Sequence, residues 1–283
     1  MNEFIIWWQH LPENINPIIF EIGSFKLQYY GLMYVAAFAT TFFLVLFRIK
    51  REKDFVITSD QVKDLTTLMM VGLIIGARLG YVLFYNLSYY LHHPLEIILP
   101  FQFSNGITFT GISGMSYHGG LIGVVLCTWI YTHKAGLSFW QIADLYIPVI
   151  PFGYTFGRIG NFINGELFGR VTSSSIGMYF PLAPGGELRH PSQLYEAFFE
   201  GIFLFAVLWG IRKIKKPSGA MLAFYLIGYG TVRFFIEYFR QPDTHLGYIL
   251  WSFSMGQLLC AAMITCGSLL FVYLWKKDSP ESQ

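Results

Sequence analysis

Seven apolar runs, at about residues 29–48, 64–85, 114–132, 141–163, 194–211, 219–239 and 249–275, constrain this chain more than any other feature. In hydrocarbon no water is available to the backbone. A segment that crosses must therefore bond internally as a helix of about 20 residues or join a closed barrel. These runs are too long for barrel strands. Composition agrees: 54% hydrophobic residues, 13% charged and a mean hydropathy of +0.48, where soluble domains carry roughly a quarter charged. The expected fold is all-α, a polytopic membrane helical bundle of about seven transmembrane helices. No repeat, low-complexity tract or linker divides it, so residues 1–283 read as a single integral membrane domain. The excursion at 164–193 has three serines at 173–175 and PLAPGG at 181–186, which predicts a small, loop-rich periplasmic head. Residues 1–28 lack a basic stretch ahead of an apolar core, as a cleaved signal would have, and are expected to lie in the membrane interface.

Short cytoplasmic loops collect Lys and Arg. With seven spans, twelve of the nineteen basic residues fall on one side: the group from Arg48 to Lys63, Lys134, the group from Arg212 to Lys216, and Lys276 with Lys277. This puts the amino terminus in the periplasm and the carboxyl terminus in the cytoplasm. The other seven, Lys26, Arg78, Arg158, Arg170, Arg189, Arg233 and Arg240, are assigned to the outer half, against the trend. Six of the seven are arginines. A guanidinium keeps its charge and offers a planar fork of donors suited to phosphate, which points to an anionic headgroup site. The net charge of +2 identifies no partner, and nothing in the sequence calls for nucleic acid. Cys127, Cys260 and Cys266 lie within spans without metal-ligand spacing and read as packing residues, so no metal or organic cofactor is expected.

Ionisable residues at membrane depth mark candidate sites because they are costly there. Arg158 is the first, in GRIGNFINGELFG at 157–169, where Asn161, Asn164 and Glu166 follow it and Gly165 and Gly169 permit sharp backbone geometry. Glu166 is placed to orient an arginine; support of the head is the competing role for Asn164 and Glu166. Tyr229, Arg233, Glu237 and Arg240, spaced by 4, 4 and 3, form one polar stripe at helical pitch. Its rival explanation is an Arg233–Glu237 pair that only neutralises itself. His118, next to Gly119 and Gly120, suits proton transfer near neutral pH or, equally, a structural bond to a carbonyl. Tyr29 and Tyr34 read as interfacial anchors, and Tyr30 as a cavity residue. Arg78 either balances a carboxylate or touches a headgroup.

The stretch 157–169 matches, at every fixed position, the pattern G-R-x-G-N-F-x-N-x-E-x-x-G of the bacterial prolipoprotein diacylglyceryl transferases. The chain also resembles that family in YYGLMY at 29–34, GARLGYVLFYN at 76–86, GMSYHGGLIG at 114–123, RHPSQLYE at 189–196 and GYGTVRFFIEYFRQPD at 228–243. The resemblance implies an enzyme of the bacterial cytoplasmic (inner) membrane. Its reaction would move the diacylglyceryl group of phosphatidylglycerol onto the lipobox cysteine of a preprolipoprotein, forming a thioether and releasing glycerol phosphate. The implied partners are phosphatidylglycerol, the signal peptide and lipobox cysteine, and membrane lipids. The implied catalytic residues are His118, Arg233 and Tyr30; those for substrate binding are Arg158, Asn161, Asn164, Glu166, Gly169, Tyr229, Glu237 and Arg240. Two other readings compete: an intramembrane serine protease, suggested by Ser113 in GISG at 111–114, and an anion or lipid transporter using the same arginines.

Overall fold

The computed structural model describes residues 3–23, 25–99, 101–102, 108–109, 114–241, 248–250 and 253–279. Its helices are α1 (Glu3–Gln9), α2 (Tyr29–Arg51), α3 (Ser59–Tyr85), α4 (Leu87–His92), α5 (Tyr117–Lys134), α6 (Phe139–Tyr146), α7 (Ile150–Ile163), α8 (Ser192–Tyr195), α9 (Leu204–Ile211), α10 (Ala220–Ile236) and α11 (Met255–Asp278). A π-helical stretch, Glu196–Phe203, joins α8 to α9 in a continuous helical run from Ser192 to Ile211. Among the described residues, strands form three short antiparallel pairs: β1 (Ile18–Ile22) with β2 (Phe25–Gln28), β3 (Phe101–Gln102) with β4 (Thr108–Phe109), and β5 (Tyr248–Leu250) with β6 (Phe253–Ser254). The architecture is thus mainly helical; the β5–β6 pair occupies the start of the apolar run expected to form a span at 249–275.

Among the described residues four helices are long and apolar enough to cross a membrane: α2, α3, the run from Ser192 to Ile211, and α11. The chain is a helical membrane protein. Helix α10 is apolar but only 17 residues long. Helix α5 has 18 residues, its apolar middle flanked by Tyr117 and His118 at one end and His133 and Lys134 at the other. The run at 141–163 is not one helix but α6 and α7, interrupted at 147–149. Pro148 explains the break, since its ring clashes with the carbonyl four residues earlier and it has no N–H to donate; Pro151 is tolerated in the first turn of α7.

The chain divides into two compact units. In the unit Leu46–Ile142, α3 packs on α5 through small residues at four-residue spacing, Gly72, Gly76 and Gly80 against Gly119, Gly123 and Cys127. The backbones touch: a methyl added at Gly80 would lie 2.8 Å from Gly119 Cα, and one at Gly76 would strike the Gly119 carbonyl. Close approach of this kind is how helices gain van der Waals contact where lipid removes the hydrophobic drive. Arg78 donates to three backbone carbonyls, Ile97 at 2.8 Å, Gly114 at 3.3 Å and Glu96, and its guanidinium lies over the Tyr90 ring. It therefore clamps backbone.

The other unit comprises Met1–Val45 and Ala143–Gln283. Here the Asp144 carboxylate accepts from Gly219 N at 2.7 Å and Met221 N at 2.9 Å, satisfying amides at the start of α10 that the helix leaves unpaired. Helix α11 begins with a capping box between Ser254 and Gln257. The excursion at 164–193 has its own small core of Phe162, Met178 and Phe180, against which Trp8, Leu11 and Phe168 pack. Trp8 Nε1 donates to Ile176 O at 3.0 Å and Tyr179 N to Gln9 O at 2.8 Å, so the amino-terminal segment straps this core.

Candidate active site

The Ser192–Ile211 run carries two glutamates, Glu196 and Glu200, whose carboxylates are wholly buried in the unit made of Met1–Val45 and Ala143–Gln283. Both lie in the π-helical stretch, a geometry often found at functional sites. Glu196 Oε2 lies 2.9 Å from Arg158 Nε of α7 and 3.0 Å from Arg233 Nη1 of α10. Glu200 Oε1 takes a second, longer contact from Arg233 Nη1 at 3.3 Å, and Glu237 Oε2 lies 3.3 Å from Arg233 Nη2. Arg240 Nε approaches Glu196 Oε1 at 3.9 Å, a Coulombic contact too long for a hydrogen bond. Three arginines thus surround three carboxylates. Pairing on this scale is what makes burial tolerable, since a lone charge here would cost several kcal/mol.

Tyr154 of α7 ties the cluster together. Its hydroxyl donates to Glu200 Oε2 at 2.5 Å and accepts from Arg158 Nε at 2.5 Å, and the Arg158 guanidinium lies over its ring, 4.7 Å from the centroid. Arg158 Nη1 donates to Asn161 Oδ1 at 3.3 Å, and Asn161 Nδ2 to Glu166 Oε1 at 2.8 Å. Glu166 therefore orients an asparagine, and reaches the arginine only through it. Tyr30 of α2 packs on Gly160, and its hydroxyl is 3.1 Å from that of Tyr34. The Tyr229 ring meets that of Tyr154 edge-on at 6.1 Å.

Other expected residues serve the backbone. Gly169 N donates to His190 O at 2.8 Å and Gly169 bridges to Arg240; a methyl at Gly169 would lie 2.7 Å from the His190 carbonyl oxygen. The expected substrate contact is thus a glycine that two strands of chain crowd. Asn164 closes α7, and its buried Oδ1 has no hydrogen-bond partner among the described residues. Leu167 adopts φ of 57°, strained for a leucine. Ser192 Oγ holds its carbonyl at 3.0 Å, and Gln193 Nε2 holds that of Glu166 at 2.6 Å. Arg170 and Arg189 donate to the carbonyls of Arg240 and Gly169, and so brace the chain. Burial holds the His190 imidazole below its ordinary pKa.

His118 belongs to the other compact unit. It stands exposed in the first turn of α5, after the cap in which Ser116 Oγ accepts from Gly119 N at 3.3 Å. Ser113 lies outside the described residues.

Sequence reasoning singled out Arg158 and the Tyr229–Arg240 stripe, and the structure brings these together. It missed Glu196, Glu200 and Tyr154. The signal was present: two glutamates four residues apart inside an apolar run carry the same cost that drew attention to Arg158.

An apolar helical protein with a buried cluster of arginines and carboxylates is the class that fold and site define. A family model described as prolipoprotein diacylglyceryl transferase matches residues 17–273, and the chain belongs to that family. It is 52% identical to the phosphatidylglycerol--prolipoprotein diacylglyceryl transferase of Chlorobaculum tepidum over 100% of this chain and 97% of that protein. It is also 44% identical to the enzyme of that name from Bordetella avium, over 93% of this chain and 96% of the relative. The Francisella tularensis subsp. novicida counterpart is 42% identical over 93% and 95%.

Proposed function

We infer that this protein transfers the diacylglyceryl group of phosphatidylglycerol to the thiol of the lipobox cysteine in a preprolipoprotein, the first step of lipoprotein maturation. The observation that carries this reading is the Arg158–Glu196–Arg233 cluster, buried in an apolar helical protein of the family. The cysteine sulfur attacks the glyceryl carbon that bears the phosphate ester; the S–C bond forms as the C–O bond breaks, and the phosphate leaves on glycerol. Arg158 and Arg233 stabilise the charge that grows on the departing phosphate, an effect strongest where water is excluded. His118 takes the thiol proton, because the thiolate is the reactive form and a free cysteine ionises only near pH ~8.5. Tyr30, Asn161, Asn164, Glu166, Gly169, Tyr229, Glu237 and Arg240 bind substrate or hold the groups that do.

Both substrates reside in the membrane, which is reason for the enzyme to reside there too. Seven spans in a single domain of the bacterial inner membrane, with the amino terminus and the 164–193 head in the periplasm, fit the distribution of Lys and Arg. The signal-peptide helix and the lipid enter laterally between spans, and the head closes over the modified cysteine.

Release of glycerol phosphate tests the chemistry. Purified protein mixed with phosphatidylglycerol should release it only when a lipobox peptide is added, and not when the peptide's cysteine is replaced by serine. Release without peptide, or lipid movement with no covalent product, would instead favour a phospholipase or a transporter.

A further inference from the structure

We propose that Tyr154 is a positioning residue that presents the open edge of Arg158 to an incoming phosphate, a role that rests on the transferase reading above. The tyrosine hydroxyl has one proton, and the 2.5 Å contact commits it to Glu200 Oε2. A lone pair is thereby aimed at Arg158 Nε, also at 2.5 Å. Glu196 Oε2 reaches the same Nε at 2.9 Å. The Nε side of the guanidinium is thus occupied twice, while the Tyr154 ring under it fixes its plane. What remains is the terminal pair of nitrogens. Nη1 carries only the 3.3 Å contact to Asn161, and Nη2 has no hydrogen-bond partner among the described residues. These two donors form the planar fork that grips two phosphate oxygens at once. A guanidinium fixed at one edge and one face does not have to reorganise when the anion arrives.

Glu200 acts here through Tyr154. Without its carboxylate the hydroxyl proton has only the longer 3.4 Å contact to Glu196 Oε2, and the lone pair is held less firmly toward Arg158. Glu200 also contacts Arg233, so both arginines depend on a glutamate that sits behind them.

Tyr154→Phe keeps the ring and removes only the hydroxyl. Expected is a fall in kcat/KM of about tenfold, mainly through KM for phosphatidylglycerol, since one hydrogen bond to a charged group is lost. Inhibition by glycerol phosphate should weaken by a similar factor, with protease resistance unchanged. Glu200→Gln, which keeps an oxygen for Arg233 and puts an amide NH2 where the Tyr154 hydroxyl needs an acceptor, is a second route to the same loss, and serves alone if the phenylalanine variant does not insert. The double variant should be no worse than the worse single one, because the two groups work as one device. A phenylalanine variant with the parent KM and parent glycerol phosphate inhibition would overturn the proposal, as would losses that multiply in the double variant. If the parent protein itself transfers nothing, the transferase reading fails; if the parent transfers and Tyr154→Phe matches its KM, only the role of Tyr154 does.

Discussion

Arg158 and Arg233 reach one oxygen of Glu196, at 2.9 Å and 3.0 Å, from helices 75 residues apart in sequence. A shared anion between two guanidiniums offsets their mutual repulsion and sets their separation. Both arginines keep some exposure, 19% and 12% of the side chain, whereas Glu196 has none. An anion arriving from outside therefore meets arginine edges first, with the carboxylates behind them.

If these edges hold phosphate as paired donors, Arg158→Lys and Arg233→Lys should fail almost as badly as the alanine variants. A point charge cannot reproduce two parallel hydrogen bonds. Loss of about 3 kcal/mol of stabilisation costs on the order of a hundredfold in rate. Each lysine variant should insert and resist proteolysis like the parent while unmodified substrate accumulates. Near-normal turnover by both would leave only a general need for positive charge.

His118→Gln should lower turnover more than lipid binding, and part of the loss should return at higher pH, where more thiol ionises unaided. A pH–rate profile of the variant beside the parent reads this directly. Parent-like turnover in the variant would move the histidine to a structural role and direct the search for a base elsewhere.

How much of this was legible in the sequence follows from the cost of each feature. Arg158 and Arg233 stood out because charge inside an apolar run is costly. Glu196 and Glu200 carry the same cost and were missed; what the sequence could not report is their pairing with the arginines, which forms only after three helices pack. The stripe from Tyr229 to Arg240 was legible as a face; that its Arg233 also answers to Glu196 and Glu200 was not. Pro148 could have announced the break between α6 and α7, since the apolar run masks a residue that ends helices. The π-helical stretch at Glu196–Phe203 has no mark in composition.

The glycine contact between α3 and α5 gives a stability test. Gly76→Val forces a branched side chain against the Gly119 carbonyl, and separating the helices or straining them should cost on the order of 1–3 kcal/mol. A lower thermal midpoint in detergent is expected, while valine at the exposed Ile75 position should leave it unchanged. Equal midpoints for both variants would show that this contact carries little of the unit's stability.

Topology can be tested at the carboxyl terminus. A fluorescent protein fused after Gln283 should fluoresce and a periplasmic phosphatase fused there should stay inactive, as expected for a cytoplasmic end. The reverse pattern would put the arginine cluster's helices in the opposite orientation.

The most direct test of the central claim is the mass of the peptide. Purified protein, phosphatidylglycerol and a peptide carrying a lipobox should yield peptide heavier by one diacylglyceryl group, attached at the cysteine through a thioether stable to mild base. Peptide of unchanged mass, with the protein shown to be folded, would contradict the account.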